Sequence, residues 1–218
     1  MSLRYALLAI LRVGPLSGYD LAKQFAQSVG HVWHAPDSQI YPELRKMEAD
    51  GLVEGEDQAR GERGHRRLYH VTPAGDRAFL DWMSSPLDYQ RVRDPAHLRA
   101  AYLESAEPEA ARAFLVAHRA QWRSELEQWE GELMRIETLT NPMLRRRLAV
   151  TAEEDRERTV AFKHFAYEGL VARARAEIAW ADAGLELLDR LTSGGVSGGN
   201  GDGAAAARSP RPRRSTRS

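Results

Sequence analysis

Residues 37–73, DSQIYPELRKMEADGLVEGEDQARGERGHRRLYHVTP, decide how this chain folds. Ile40, Leu44 and Met47 recur at helical spacing, which predicts a short helix with one apolar side laid against a core. Its other side carries Gln39, Tyr41, Arg45 and Lys46. Pro42 lacks an amide hydrogen and is tolerated near a first turn, where amides have no partner within the helix; this predicts a late start near Asp37 or Ser38, either of which can cap it. Gly51 ends the helix, Leu52 and Val53 open a strand that rises to a Gly- and Arg-rich tip, and Leu68-Tyr69-His70-Val71 return as its partner. A helix followed by such a wing suits a nucleic-acid duplex. A major groove admits one helix, and the positive tip of a hairpin can lie along neighbouring phosphates.

The same stretch belongs to a longer series of motifs. Ser17-Gly18-Tyr19-Asp20-Leu21 precedes it, Ser38-Gln39-Ile40-Tyr41-Pro42-Glu43-Leu44 and Met47-Glu48-Ala49-Asp50-Gly51-Leu52-Val53 lie within it, and Arg66-Arg67-Leu68-Tyr69 runs into Val71-Thr72-Pro73-Ala74-Gly75. In this order they span most of residues 1–83, and on them the chain resembles the PadR family of bacterial transcriptional regulators. The resemblance implies a winged helix-turn-helix, three helices plus a two-stranded β-wing, followed by a long-helix antiparallel dimerisation domain in a mainly α protein. It also implies that Ser17 and Tyr19 face the DNA backbone and that Arg66 and Arg67 hold the wing's basic positions. His65 stands where the family commonly has proline.

Composition sets the outer limits. The 218 residues, 43% of them hydrophobic, suffice for one large domain or two small ones. Formal net charge is zero, from 31 basic and 31 acidic residues, so a DNA-binding reading rests on where charges sit rather than on their sum. There is no cysteine, which excludes disulfides and thiolate metal sites. The apolar run Tyr5–Leu11 is stopped by Arg12 and is too short to span a membrane. These features predict a cytoplasmic protein that needs no cofactor and no metal, and the resemblance implies association with the bacterial nucleoid when bound to an operator.

Taken in order, a first helix over about Leu3–Val13 is broken by Gly14-Pro15. Ser17 caps a second, which runs to Gly30. His31 and His34 flank Trp33 in the following connection, but two histidines without further ligands do not make a metal site. In the third helix Ser38, Gln39, Tyr41 and Pro42, with Arg45 and Lys46 a turn later, form the surface aimed at DNA; Gln can read adenine and Arg guanine, each pair worth roughly 1–3 kcal/mol of discrimination. Arg63, His65, Arg66 and Arg67 are the candidate phosphate contacts of the wing, diluted by Glu54, Glu56, Asp57 and Glu62. Thr72-Pro73 starts a fourth helix, and Ser84-Ser85-Pro86 closes the expected DNA-binding domain, residues 1–83.

Residues 84–192 are expected to form a helical dimerisation and effector domain, and residues 193–218 a disordered Gly/Ser/Arg-rich tail. A helix from Pro108 to about Leu139 spans about 45 Å, and Leu115, Trp122, Leu126, Trp129 and Leu133 trace a coiled-coil seam along it. After Asn141-Pro142, a last helix places Val160, Tyr167, Val171, Ile178 and Leu185 on an equivalent stripe. Two such helices should pair antiparallel, with any remaining apolar stripe covered by a second subunit. By resemblance, C-terminal helices of this kind hold a dimer together, and the twofold presents two recognition helices about 34 Å apart to an inverted-repeat operator of double-stranded DNA.

The chain has no cysteine nucleophile, Gly-rich phosphate loop, HExxH or serine elbow, and Glu153-Glu154-Asp155 suits a helix start, so it is not expected to be an enzyme. The resemblance to the PadR family implies a sequence-specific DNA-binding regulator, a homodimeric repressor released by a small-molecule signal. Relatives that respond to phenolic acids or flat hydrophobic drugs make Trp33, Trp82, Trp122, Trp129 and Trp180 candidate contacts for an aromatic or hydrophobic effector. The alternative is a helical protein-interaction module whose winged domain no longer binds DNA specifically, which the acidic arm of the wing favours.

Overall fold

The computed structural model describes residues 2–28, 35–60, 64–87 and 93–194. In chain order the elements are α1 (Ser2–Leu11), β1 (Leu16–Ser17), α2 (Gly18–Ser28), α3 (Asp37–Ala49), β2 (Val53–Arg60), β3 (Gly64–Val71), α4 (Pro73–Ser84) and α5 (Pro95–Ala100). A short 3-10 turn (Leu103–Ser105) leads to α6 (Pro108–Glu137), α7 (Pro142–Ala149) and α8 (Glu153–Gly194). Packing separates two compact units. One comprises residues 1–95 with 125–173; the other comprises 96–124 with the described part of 174–218. The boundaries fall inside α6 and α8.

The first unit is built on a core in which Leu7, Leu8, Leu21, Phe25, Ile40, Leu44 and Met47 are almost wholly buried, supplied by α1, α2 and α3. The sheet closes its side in the order β1-β3-β2, all antiparallel. Two strands were expected. The third is two residues long, Leu16 pairing with Tyr69 and Ser17 with Leu68, and two residues give no periodicity for a sequence to display.

Local chemistry accounts for the turns. After α3, the Gly51 amide donates to the Glu48 carbonyl at 3.0 Å and the Leu52 amide to the Met47 carbonyl at 2.9 Å, a Schellman ending. Gly51 sits at φ +71°, where a side chain would be strained. Thr72 then caps α4: its Oγ1 accepts from the Gly75 amide at 3.1 Å and donates to the Gly51 carbonyl at 2.6 Å. Gly75 is required because a Cβ there would overlap the backbone carbonyl of Leu52.

One expectation about α3 is corrected. The helix begins at Asp37, capped by Pro36 with no side-chain hydrogen bond, so neither Asp37 nor Ser38 caps it and Pro42 falls in the second turn. The cost is one hydrogen bond, because Pro42 cannot donate to the carbonyl four residues before it, on Ser38. Ser38 is exposed, so water can replace the missing donor.

The rest of the first unit joins the far end of α6 to α7 and the start of α8. Ile136, Leu144 and Tyr167 form its small core. Asn141 caps α7, accepting from the Leu144 amide at 2.8 Å while its Nδ2 donates to buried Glu132 at 2.9 Å. The segment after Pro142 is thus a helix of its own, and α6 ends at Glu137, before Leu139, which takes a positive φ of 55°. In the second unit Leu115 packs on Gly184. Arg112 pairs with Asp189, and Arg119 with Asp182 at 2.6 Å. As the first number rises the second falls, so α6 and α8 run antiparallel there, as the stripes predict. His164 meeting Glu137 at 3.0 Å gives the same sense in the first unit.

Candidate nucleic-acid interface

α2 and α3 meet closely because Gly18 has no side chain: a Cβ there would lie 2.8 Å from the Tyr41 ring. The start of α2 therefore sits against the start of α3. Tyr19 is 70% exposed, while Ser38, Gln39, Tyr41, Pro42, Arg45 and Lys46 are all exposed on the side of α3 opposite Ile40, Leu44 and Met47. Among the described residues neither Arg45 nor Lys46 has an acidic partner, so both charges are available to an anion. Ser17 is placed differently. It is buried, its Oγ accepting from the Asp20 amide at 3.2 Å and donating to Asp20 Oδ2 at 2.7 Å, so its hydroxyl is committed to capping α2.

The wing residues divide. Arg63 lies outside the described residues, as does the His65 side chain, although His65 takes its place in β3 opposite Ala59. Arg66 is held by Asp20 of α2. Arg67 is held by Glu48 of α3 at 2.6 Å and by Asp57, its cross-strand neighbour, at 3.1 Å. Hydrogen bonding to Glu48 and Asp57 raises the Arg67 pKa further above its ordinary value. The sequence singled out both arginines but missed their acidic partners. One signal was present: Glu48 lies in the last turn of α3, where the helix dipole disfavours an acid, so its placement serves something other than the helix.

The candidate effector tryptophans do not form one group. Trp33 lies outside the described residues. Trp82 stacks on Tyr5 at 4.9 Å, and Trp129 is buried. In the second unit Trp122 and Trp180 both flank His118, at 6.1 and 5.1 Å, with His97 stacked on Trp180 at 4.4 Å. The two apolar stripes are largely consumed within the chain: Leu115, Trp129, Tyr167, Val171 and Leu185 are buried, and Trp122, Leu126, Leu133, Val160 and Ile178 half-buried. Val116, Met134, Phe162, Phe165, Leu187 and Leu191 remain exposed on α6 and α8.

A group of cations was not foreseen. Lys163 takes the place of an apolar residue on the α8 stripe, between Val160 and Tyr167, and its Nζ lies 5.0 Å from the Tyr167 ring. Burial, reinforced by Arg147, pushes the Lys163 pKa down against the pull of Glu132. Arg147 is itself lowered by burial and then by Arg12. Among the described residues neither Lys163 nor Arg147 has an ion pair. Tyr167 is pushed up to about 12, first by burial and then by Glu132. The signal in the sequence was a lone lysine on an otherwise apolar face.

An exposed polar helix face beside an antiparallel hairpin, over a three-helix core, defines a winged helix-turn-helix protein. Residues 7–81 match the Transcriptional regulator PadR-like family. The match covers the N-terminal third of the chain, and it is a likeness to transcriptional regulators. The chain is 29% identical over 143 residues to the Negative transcriptional regulator PadR of Bacillus subtilis, covering 65% of this chain and 78% of that one. Among solved structures it resembles B. subtilis PadR in complex with operator DNA, at TM-score 0.68 and 25% identity over 86% of this chain and 99% of that one. It also resembles the same regulator in complex with p-coumaric acid, at TM-score 0.65 and 26% identity, over 87% and 99% of the two chains.

Proposed function

We propose that this regulator binds an inverted-repeat operator as a homodimer and represses transcription until a small anionic, aromatic molecule releases it. The observation that carries the reading is the exposed side of α3, where Gln39, Tyr41, Arg45 and Lys46 stand with Tyr19 of α2 beside its start. Gln39 and Arg45 are the base-reading side chains; Tyr19, Ser38 and Lys46 serve the backbone, with Arg63 and His65 at the tip of the wing. Residues 1–83 act as the DNA-binding domain and 84–192 as the dimerisation and effector domain. Since the original stripes are mostly occupied, the dimer face is drawn from exposed apolar side chains such as Phe162 and Phe165.

Binding of operator DNA and of p-coumaric acid by B. subtilis PadR supports both halves of this reading. The effector half gains support from Lys163, partly covered, 5.0 Å from the Tyr167 ring and close enough to Arg147 to be disfavoured by it, since an aromatic carboxylate would supply both charge and stacking surface. Such a ligand shifts the population towards a dimer whose recognition helices no longer match the operator.

The test is fluorescence anisotropy on DNA from upstream of the protein's own gene, against a scrambled duplex, across a salt series. A preference of at least about a thousandfold that weakens steeply with salt, and is lost in Arg45→Ala with Lys46→Ala while the dimer persists, is the expected result. Equal weak binding to both duplexes, with no site recovered in a genome-wide pull-down, would favour the protein-interaction module instead.

A further inference from the structure

We propose that Arg66 and Arg67 are positioning residues that lock the wing to the recognition helix through Asp20 and Glu48, and that they are not the wing's phosphate contacts. The inference rests on the DNA-binding reading above. Its geometry is independent of that reading.

Two anchors hold β3. Asp20, in the first turn of α2, accepts from Arg66 Nη2 and from Ser17 Oγ, so the carboxylate is fixed by the cap of its own helix before it reaches the strand. Glu48, in the last turn of α3, accepts from Arg67 Nη2 at 2.6 Å and from the Gly55 amide at 3.1 Å, so one oxygen ties α3 to β2 and to β3 together. Gly55 leaves the space: a Cβ there would overlap both the Arg67 guanidinium and the Glu48 carboxylate. Asp57 holds the other arm of Arg67 from across the hairpin. Two arginines facing three carboxylates leave this part of the wing without the net positive charge that a phosphate contact needs.

The two roles give opposite signs at Glu48. If Arg67 contacts phosphate, neutralising the nearby acid strengthens DNA binding, and losing Arg67 lowers the slope of log K against log salt by about 0.9. If Arg67 positions the wing, Glu48→Gln weakens binding despite removing a negative charge, and Arg67→Ala weakens it at every salt concentration with the slope unchanged. The expected loss is roughly tenfold for each, the equivalent of one charge-assisted hydrogen bond. Asp20→Asn should behave as Glu48→Gln does. The exchanged pair Glu48→Arg with Arg67→Glu restores a contact of the same polarity and should recover most of the loss.

The measurements are the anisotropy salt series on full-length protein and hydrogen exchange of the Gly55 amide without DNA. Faster Gly55 exchange in Glu48→Gln, with the rest of the domain still protected, is expected and excludes general unfolding as the cause. Tighter binding by Glu48→Gln, or a slope reduced by about one unit in Arg67→Ala, overturns the proposal. If wild-type protein binds no DNA specifically, the function proposed above fails, and hydrogen exchange still decides this one: unchanged protection at Gly55 rejects the anchor.

Discussion

Thr72 joins the end of α3 to the start of α4, and its replacement by alanine tests that junction directly. The hydroxyl makes two bonds, accepting from the Gly75 amide at 3.1 Å and donating to the Gly51 carbonyl at 2.6 Å. Loss of the cap costs about 1 kcal/mol, and loss of the bond to Gly51 about 1 kcal/mol more, less whatever water restores at the exposed carbonyl. A total near 2 kcal/mol in a chain of this length lowers Tm by about 4–8 °C. Thr72→Ser keeps the hydroxyl and should recover most of that difference. Differential scanning calorimetry of the three proteins at one concentration is the assay. A drop below about 1 °C for Thr72→Ala, or a Thr72→Ser no better than alanine, would refute the assignment of both bonds.

Three further outcomes follow from the same structure. Gly75→Ala forces a Cβ onto the Leu52 carbonyl and should cost about 2 kcal/mol or more, read as a Tm at least about 4 °C lower. Lys163→Met should raise Tm at neutral pH, because burial lowers the lysine's folded-state pKa; the wild type recovers stability as pH rises from that value towards 10.5, so the variant's advantage should shrink in alkaline buffer. His164 shifts the other way, raised by its hydrogen bond to Glu137 and by Glu168. Its stabilisation is present below its unfolded value and fades as pH rises through the folded one, so His164→Ala should lower Tm more at pH about 5.5 than at about 8.5.

What could be read in advance follows from how far each signal extends along the chain. Ile40, Leu44 and Met47 repeat often enough to place α3 and its buried side, and Gly51, Thr72 and Pro73 mark turns through backbone requirements that only a few residue types meet. β1 is too short to repeat anything, and α7 hid behind a proline that suggested a break when Asn141 was capping a helix. The start of α3 near Asp37 was legible, but its cap was misplaced because Pro42 was granted only a first-turn role. At the candidate interface the exposed residues of α3 were legible from periodicity. The partners of Arg66 and Arg67 were not, since Asp20 and Glu48 lie 46 and 19 residues away and only folding brings them together. Lys163 was visible as a letter out of place on an apolar stripe. Its neighbour Arg147 comes from another helix and gave no such sign.

Pro42 also limits what mutagenesis of α3 can report. Because it has no amide hydrogen, the Ser38 carbonyl lacks the donor four residues on, and the first turn of α3 presents a main-chain acceptor alongside its exposed side chains. An alanine scan removes side chains and leaves that oxygen untouched, so summed scanning losses will undercount what this turn contributes. Pro42→Ala is the substitution that reaches it, since it gives the carbonyl its amide back and withdraws the acceptor from solvent while sparing every neighbouring side chain.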